Sequence, residues 1–149
     1  MSDDWQVSAS ADVDAPAAEV FDWLARPDSH VLLDGSGNVR GPVRSGRRMQ
    51  AIGDGFWMRM RWVVPYVVKS QVSEFEEGRL IAWNHFAGHR WRWEVEERED
   101  GGSRVTETFD ASRARAKDQY HRLGFPDTYR KVLERSVAKV ADHFADRGA

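Results

Sequence analysis

Residues 5 to 13 alternate, with Trp5, Val7, Ala9, Ala11 and Val13 apolar and Gln6, Ser8, Ser10 and Asp12 polar between them. Period two predicts a half-buried strand. The next stretch, DAPAAEVFDWLAR, changes period. Val20, Phe21 and Leu24 share one side of a short helix, Asp14 is placed to cap it, Pro16 suits its first turn and Pro27 ends it. Residues 27 to 38 have room for one more helical turn before Gly35, Gly37 and Gly41. Period two then runs almost to residue 111. It predicts strands over 38–44, 47–53, 56–64, 67–75, 79–86, 89–98 and 103–111, divided by SG, GDG, Pro65, EEG, AG and DGG. SRARAKDQYHRLG follows as a polar loop. The chain closes on a helix over 126–146, with Tyr129, Val132, Leu133, Ser136, Val137, Val140 and Phe144 on one face.

This order predicts an α+β fold in which a long antiparallel sheet is covered on one face by the C-terminal helix. A sheet curled around a single helix rarely fills its own interior, and pockets between such layers suit small ligands. The chain of 149 residues shows no repeat or linker and reads as one domain over 1–149.

Loop length sets which side chains meet across the late hairpins. Three-residue loops FAG (86–88) and DGG (100–102) place His85 opposite His89, Trp83 opposite Trp91 and Ile81 opposite Trp93. On the following strand they place Trp93 opposite Phe109 and Val95 opposite Glu107. The other face collects Arg92 with Asp110, Glu94 with Thr108 and Glu96 with Thr106. By the same alternation Met58, Met60 and Trp62 point inward, and Arg59 and Arg61 outward. Glu107 and His85 are then ionisable groups on the apolar face, which is costly for Glu107 unless it is paired or protonated. Glu107 is either a satisfied core group or a polar anchor or acid/base at a pocket floor. His85 and His89 read as a pair at a hairpin tip, with no further ligands placed for a metal.

Composition narrows the chemistry. The seven tryptophans imply either a large aromatic core or a cavity lined with rings. The absence of cysteine removes thiol, zinc-thiolate and iron–sulfur chemistry. A net charge of −2 without a basic stripe argues against nucleic acid. The first residues lack a signal-peptide pattern, and no segment is apolar for the ~18–20 residues a membrane span needs. The expectation is a cytoplasmic protein without integral membrane contact. The glycines of DGSGNVRG miss the phosphate-loop spacings. Gly35 and Gly37 read instead as positive-φ turn residues, braced by Asp34.

DVDAPAAEVFDWLARPDSHVLLDGSGNVRG, RLIAWNH, WRWEVEE, GGSRVTETFD and the closing helix together resemble the SRPBCC superfamily, the START-related, birch-pollen-allergen-like proteins. The likeness points to their polyketide cyclase/dehydrase and lipid-transport group. It implies a helix-grip fold: a seven-stranded antiparallel sheet wrapped around the C-terminal helix, two short helices after the first strand, and a hydrophobic cavity between sheet and helix. Relatives bind lipids, sterols, polyketides or hormones, and some catalyse cyclisation or dehydration without a cofactor. No catalytic motif is shared across the superfamily, so none is carried over.

The expected function is binding of a hydrophobic, ring-containing small molecule by Trp62, Trp83, Trp91, Trp93, Phe109, Tyr129 and Leu133. Any acid/base chemistry would fall to His85 or Glu107, with Tyr66 and Tyr120 behind them. No cofactor or metal is expected, and the chain is expected to be a monomer or weak homodimer. The alternative is a co-chaperone-like interaction module with a filled core, docking through Arg113, Arg115, Lys117 and Arg122. Otherwise that segment is a solvated cover over the cavity mouth.

Overall fold

Seven strands form one antiparallel sheet in the computed structural model, which describes residues 5–44, 47–85, 88–115 and 117–145. The strands are β1 (Gln6–Val13), β2 (Val39–Pro42), β3 (Gly55–Arg61), β4 (Pro65–Glu76), β5 (Leu80–His85), β6 (Arg90–Glu97) and β7 (Ser103–Asp110). Their order across the sheet is β1-β7-β6-β5-β4-β3-β2. Helices α1 (Ala17–Leu24) and α2 (His30–Leu33) lie between β1 and β2, while α3 (Lys117–Arg122) and α4 (Asp127–Ala145) follow β7. This is the helix-grip arrangement.

The long helix buries Leu133, Ser136, Val137, Val140 and Phe144, the face its apolar spacing predicts. It lies over β1 and β7. Its C-terminal half joins Val13, Phe21, Leu24, Trp93, Val95 and Val105 in the main core. Its N-terminal half contributes Leu133 and Tyr129 to a second cluster with Val7, Phe109 and Phe125. On the other face of the sheet, Ser8 and Thr108 hydroxyls bond at 2.8 Å, and Arg90 pairs with Glu74 at 2.9 Å.

Three expectations need correction. Residues 47–53 form no strand, because their backbone donors are bonded to scattered partners. Met49 N–H bonds the Ala25 carbonyl, and the Asp54 carboxylate accepts from Gln50 and Ala51. The segment 111–124 is not all loop, since α3 lies within it. The strand placed over 56–64 stops at Arg61, and Pro65 opens β4, a position where its missing N–H is tolerated.

The β5–β6 register pairs Ile81 with Trp93 and Trp83 with Trp91, as loop length predicts. Of the FAG loop, only Gly88 lies within the described residues. The β6–β7 register is offset by two residues: Trp91 pairs with Phe109, Trp93 with Glu107, Val95 with Val105, Arg92 with Thr108 and Glu94 with Thr106. The cause is the place of the loop and not its length. Arg98 N–H bonds Gly102 O and Gly101 N–H bonds Arg98 O, so the three-residue loop is 99–101 and closes on Gly101, at a φ of 88°, one residue earlier than expected. An even offset preserves the faces, so the inward set survives while its partners change.

The DGSG turn is tied to α4. Gly35 N–H donates to Ser136 Oγ at 2.9 Å, Arg135 Nε donates to Gly35 O at 2.8 Å, and Lys139 Nζ donates to Asp34 O at 2.8 Å. Asp34 braces the turn through Ser36 N–H and Val39 N–H. Gly37 takes the expected positive φ of 79°, but Gly35 does not. Gly35 is needed for closeness: a Cβ there would stand 2.2 Å from Val132 O and 2.8 Å from Ser136 N. Gly37→Ala meets no neighbour within 4 Å and should cost about 1–2 kcal/mol through its left-handed backbone. Gly35→Ala must move the helix and should cost more, about 3 kcal/mol. Urea denaturation of the two variants checks this order, and equal losses would count against the close contact.

Candidate functional site

The inward face of the sheet changes character along its strands. On β4, Val72 belongs to the core, whereas Ser70, Val68 and Tyr66 line an open cavity. On β5 the change comes between Ile81 and Trp83, and on β6 between Trp93 and Trp91. The C-terminal half of α4 fills the core end with Val137, Val140 and Phe144, while its N-terminal half faces open space through Tyr129, Val132 and Ser136. The resulting cavity has a volume of about 600 Å³, within the range of small-molecule sites. Residues from α2, α3, α4 and strands β2 to β7 line it.

Most of the sequence-predicted contacts come together here. Trp62, Trp83, Trp91, Phe109 and Tyr129 line the cavity, as do Tyr66 and Tyr120. Trp93 and Leu133 do not. Both are fully buried, Trp93 in the main core and Leu133 in the second cluster, so their assignment as ligand contacts is corrected. Both share the correct face, but Trp93 lies where α1 covers β6, and Leu133 of α4 packs against Val7 of β1 and Phe109 of β7. Trp57 lies 52% exposed and takes no part in the lining. The segment 111–124 covers part of the opening through Tyr120 and Leu123.

The cavity contains a polar minority. Glu107 is 4% exposed and opposite Trp93 in register. Its carboxyl hydrogen-bonds the Ser136 side chain. Ser136 Oγ already accepts from Gly35 N–H, which leaves its own proton for the carboxyl. Among the described residues, Glu107 Oε1 has no partner, nor has Trp93 Nε1. Burial raises the Glu107 pKa well above 4.5, and nearby Asp34 pushes it the same way against the opposing Ser136 bond. The group is therefore held toward its neutral acid.

Three histidines share the lining. His30 stacks on Trp83 at 4.6 Å, and its Nε2–H donates to Leu24 O at 3.1 Å, leaving Nδ1 as an acceptor. His85 and His89 stack at 4.7 Å, and His89 Nδ1 shares a 2.8 Å hydrogen bond with the Tyr120 hydroxyl. This pair is partly buried, not a pair in open solvent. Burial lowers His30 and His85 to about 4 and His89 to about 3. Near neutral pH the imidazoles are uncharged. His30 escaped the sequence reading because it lies in a short helical stretch whose position depends on tertiary packing. Ser136 was visible only as one member of the apolar helix face.

These groups pull stability in opposite directions with pH. The histidines have depressed pKa values, so their contribution is present above their unfolded value of 6.5 and is lost as pH falls toward about 4. Glu107 has a raised pKa, so its contribution is present below 4.5 and is lost as pH rises through the folded value. Glu107→Gln removes only the second dependence. The unfolding midpoint of the variant, relative to the parent, should therefore be higher at about pH 8 than at about pH 5. Thermal or urea denaturation at both pH values checks this, and a difference independent of pH would contradict it.

Comparison with known proteins places this geometry in context. The sequence profile of the polyketide cyclase / dehydrase and lipid transport family matches residues 4–148. An uncharacterized protein of Mycobacterium tuberculosis is 39% identical over 145 residues, covering 94% of this chain and 64% of its own length. The chain thus spans just under two-thirds of that relative. A crystal structure of a Nitrosomonas europaea protein superposes with a TM-score of 0.75 at 9% identity, covering 99% of each chain. The ginseng major latex-like protein 151 from Panax ginseng superposes with a TM-score of 0.67 at 10% identity, covering 93% of this chain and 96% of the other. At such identities the structural likenesses speak for the fold alone.

Proposed function

Because the chain belongs to the polyketide cyclase / dehydrase and lipid transport family, we propose that its cavity binds a hydrophobic, ring-containing small molecule, lipid or polyketide-like, anchored at one oxygen by Glu107. One observation carries this reading. A cavity of about 600 Å³ walled by aromatic and aliphatic side chains keeps a buried carboxyl in its lining, and one oxygen of that carboxyl has no partner among the described residues. A buried polar atom without a partner is costly. A ligand carbonyl or hydroxyl would satisfy it, while Trp83, Trp91 and Phe109 offer faces and edges to a planar skeleton.

Turnover is the second reading, and the juxtaposition of a neutral carboxylic acid with neutral imidazoles favours it. A dehydration needs a base to take a carbon-bound proton and an acid to protonate the departing hydroxyl. His85 suits the first role and Glu107 the second. The reading needs no cofactor. The co-chaperone-like alternative is disfavoured by the open cavity, since it required a filled core.

Tryptophan fluorescence titrated with a panel of fatty acids, aromatic polyketides and flavonoids tests the binding reading. Saturable quenching by at least one class is expected. Met60→Trp places bulk in the cavity wall and should abolish that quenching while the unfolding midpoint stays near the parent's. Glu107→Leu should weaken binding about tenfold by removing the anchor, and Glu107→Gln should weaken it less. No quenching by any class, or full binding by Met60→Trp, would sink the proposal.

A further inference from the structure

The hairpin joining β3 and β4 carries an apolar tip that no turn requires. Hairpin loops favour glycine, asparagine and aspartate, yet this one reads Trp62, Val63, Val64. All three are exposed, at 67%, 79% and 64%. Tyr66 and Val67 beside them are exposed as well. A contiguous apolar patch of this kind marks an interaction site more often than an accident of sequence.

Register shows that the tip projects. His85, the last residue of β5, pairs with Ser70, so, among the described residues, positions 65–69 of β4 run on without a β5 partner. That overhang is about 16 Å at ~3.3 Å per residue. β2 flanks the ribbon on its other side, Val39 opposite Met60 and Gly41 opposite Arg59, while Met60 faces Tyr66 and Arg59 faces Val67 across β3 and β4, so the tip at 62–64 stands beyond β2 as well as β5. The inward side of the ribbon and Trp62 form part of the cavity lining, and so does Leu123, itself 49% exposed. The apolar tip and the cavity mouth are therefore one place.

Charge selects the partner. Residues 55–73 contain Arg59, Arg61 and Lys69 and no acid, in a chain whose net charge is −2. Arg59 donates to Val43 O, and Lys69 lies over the Trp57 ring at 5.9 Å. Among the described residues, no ion pair involves any of these three cations. A narrow apolar tip with tryptophan and tyrosine at its base and unpaired cations behind matches the layering of an anionic membrane surface. A protein partner would be expected to meet a broader face, near 800 Å² per side. No helix among the described residues is long and apolar enough to cross a membrane, so the contact is peripheral.

We propose that the β3–β4 hairpin docks the cavity mouth on an anionic lipid bilayer, with residues 62–64 among the headgroups and Arg59, Arg61 and Lys69 facing the surface charge. Docking rests on the tip and its charge, and the cavity reading supplies only its purpose. The attraction is expected to fade with salt, because screening acts over ~8 Å at physiological ionic strength.

The test is co-sedimentation of the full chain with phosphatidylcholine vesicles, with and without phosphatidylglycerol, alongside binding of 1-anilinonaphthalene-8-sulfonate in solution. Binding to the anionic vesicles alone, lost at high salt, is expected. Val63→Asp with Val64→Asp should abolish it. Arg59→Gln and Arg61→Gln should each weaken it about fivefold. All these variants should keep the parent's dye binding, which shows that the fold and cavity persist. No sedimentation with anionic vesicles overturns the proposal, as does equal sedimentation by the tip variants or with neutral vesicles. Light scattering that shows self-association abolished by Val63→Asp would assign the tip to a second copy of the chain and overturn it too. Vesicle binding without dye binding would uphold the docking while removing the cavity reading.

Discussion

One helix has to cover a sheet that is wider than the helix. α4 has 19 residues, so it is roughly 28 Å long, and its side chains span about 10–12 Å across. Seven strands at ~4.8 Å spacing give a sheet about 29 Å wide. A helix lying over β1 and β7 therefore leaves β3, β4 and β5 with an apolar face and no long element to cover it. Small pieces, α2 and α3, cover only the margins. The cavity is the geometric remainder of that mismatch, and the strands record it by lining the core at one end and open space at the other.

The contacts that hold α4 in place also furnish the site. Asp34, Gly35, Arg135, Ser136 and Lys139 tie the turn after α2 to the helix through three hydrogen bonds. Ser136 stands at the centre, accepting from the Gly35 backbone and bonding the Glu107 carboxyl. A carboxyl on an apolar sheet face is thus kept by a hydroxyl whose own acceptor capacity is already engaged. The glycines that resemble a phosphate loop in one dimension serve a different end. Gly35 permits the backbone to touch the helix, and Gly37 permits the chain to turn away.

Much of this was legible in the sequence, and the failures have definite causes. Alternation located the strands because one sheet face is buried, and the β5–β6 loop length gave the Trp83–Trp91 pair. The β6–β7 pairing was offset because Gly101 and Gly102 can each close a three-residue loop, and the hydrophobic pattern is blind to a shift of two. Periodicity tells face but not depth. It could place Trp93 with Trp91, and Leu133 with Tyr129, but not say which member of each pair the core absorbs. His30 was invisible for the complementary reason, since its cavity position comes from where α2 is pinned and from no local period.

Depth along the sheet also orders the polar and apolar parts of the site. Glu107 pairs with Trp93, one inward step deeper than Phe109 and Trp91, while residues 65–69 overhang on the opposite side of His85. The hydrogen-bonding floor and the apolar rim are therefore at different levels of one opening. In a bilayer an amphiphile keeps its polar end at the surface and its apolar body inside. A mouth resting on the headgroups meets that polar end first, and a polar floor draws it inward while the aromatic walls receive the body behind it. In the proposed binding mode a purely aliphatic chain is a poor ligand, because it would leave Glu107 Oε1 without a partner. In that proposed mode, affinity and direction of loading depend on the same buried oxygen.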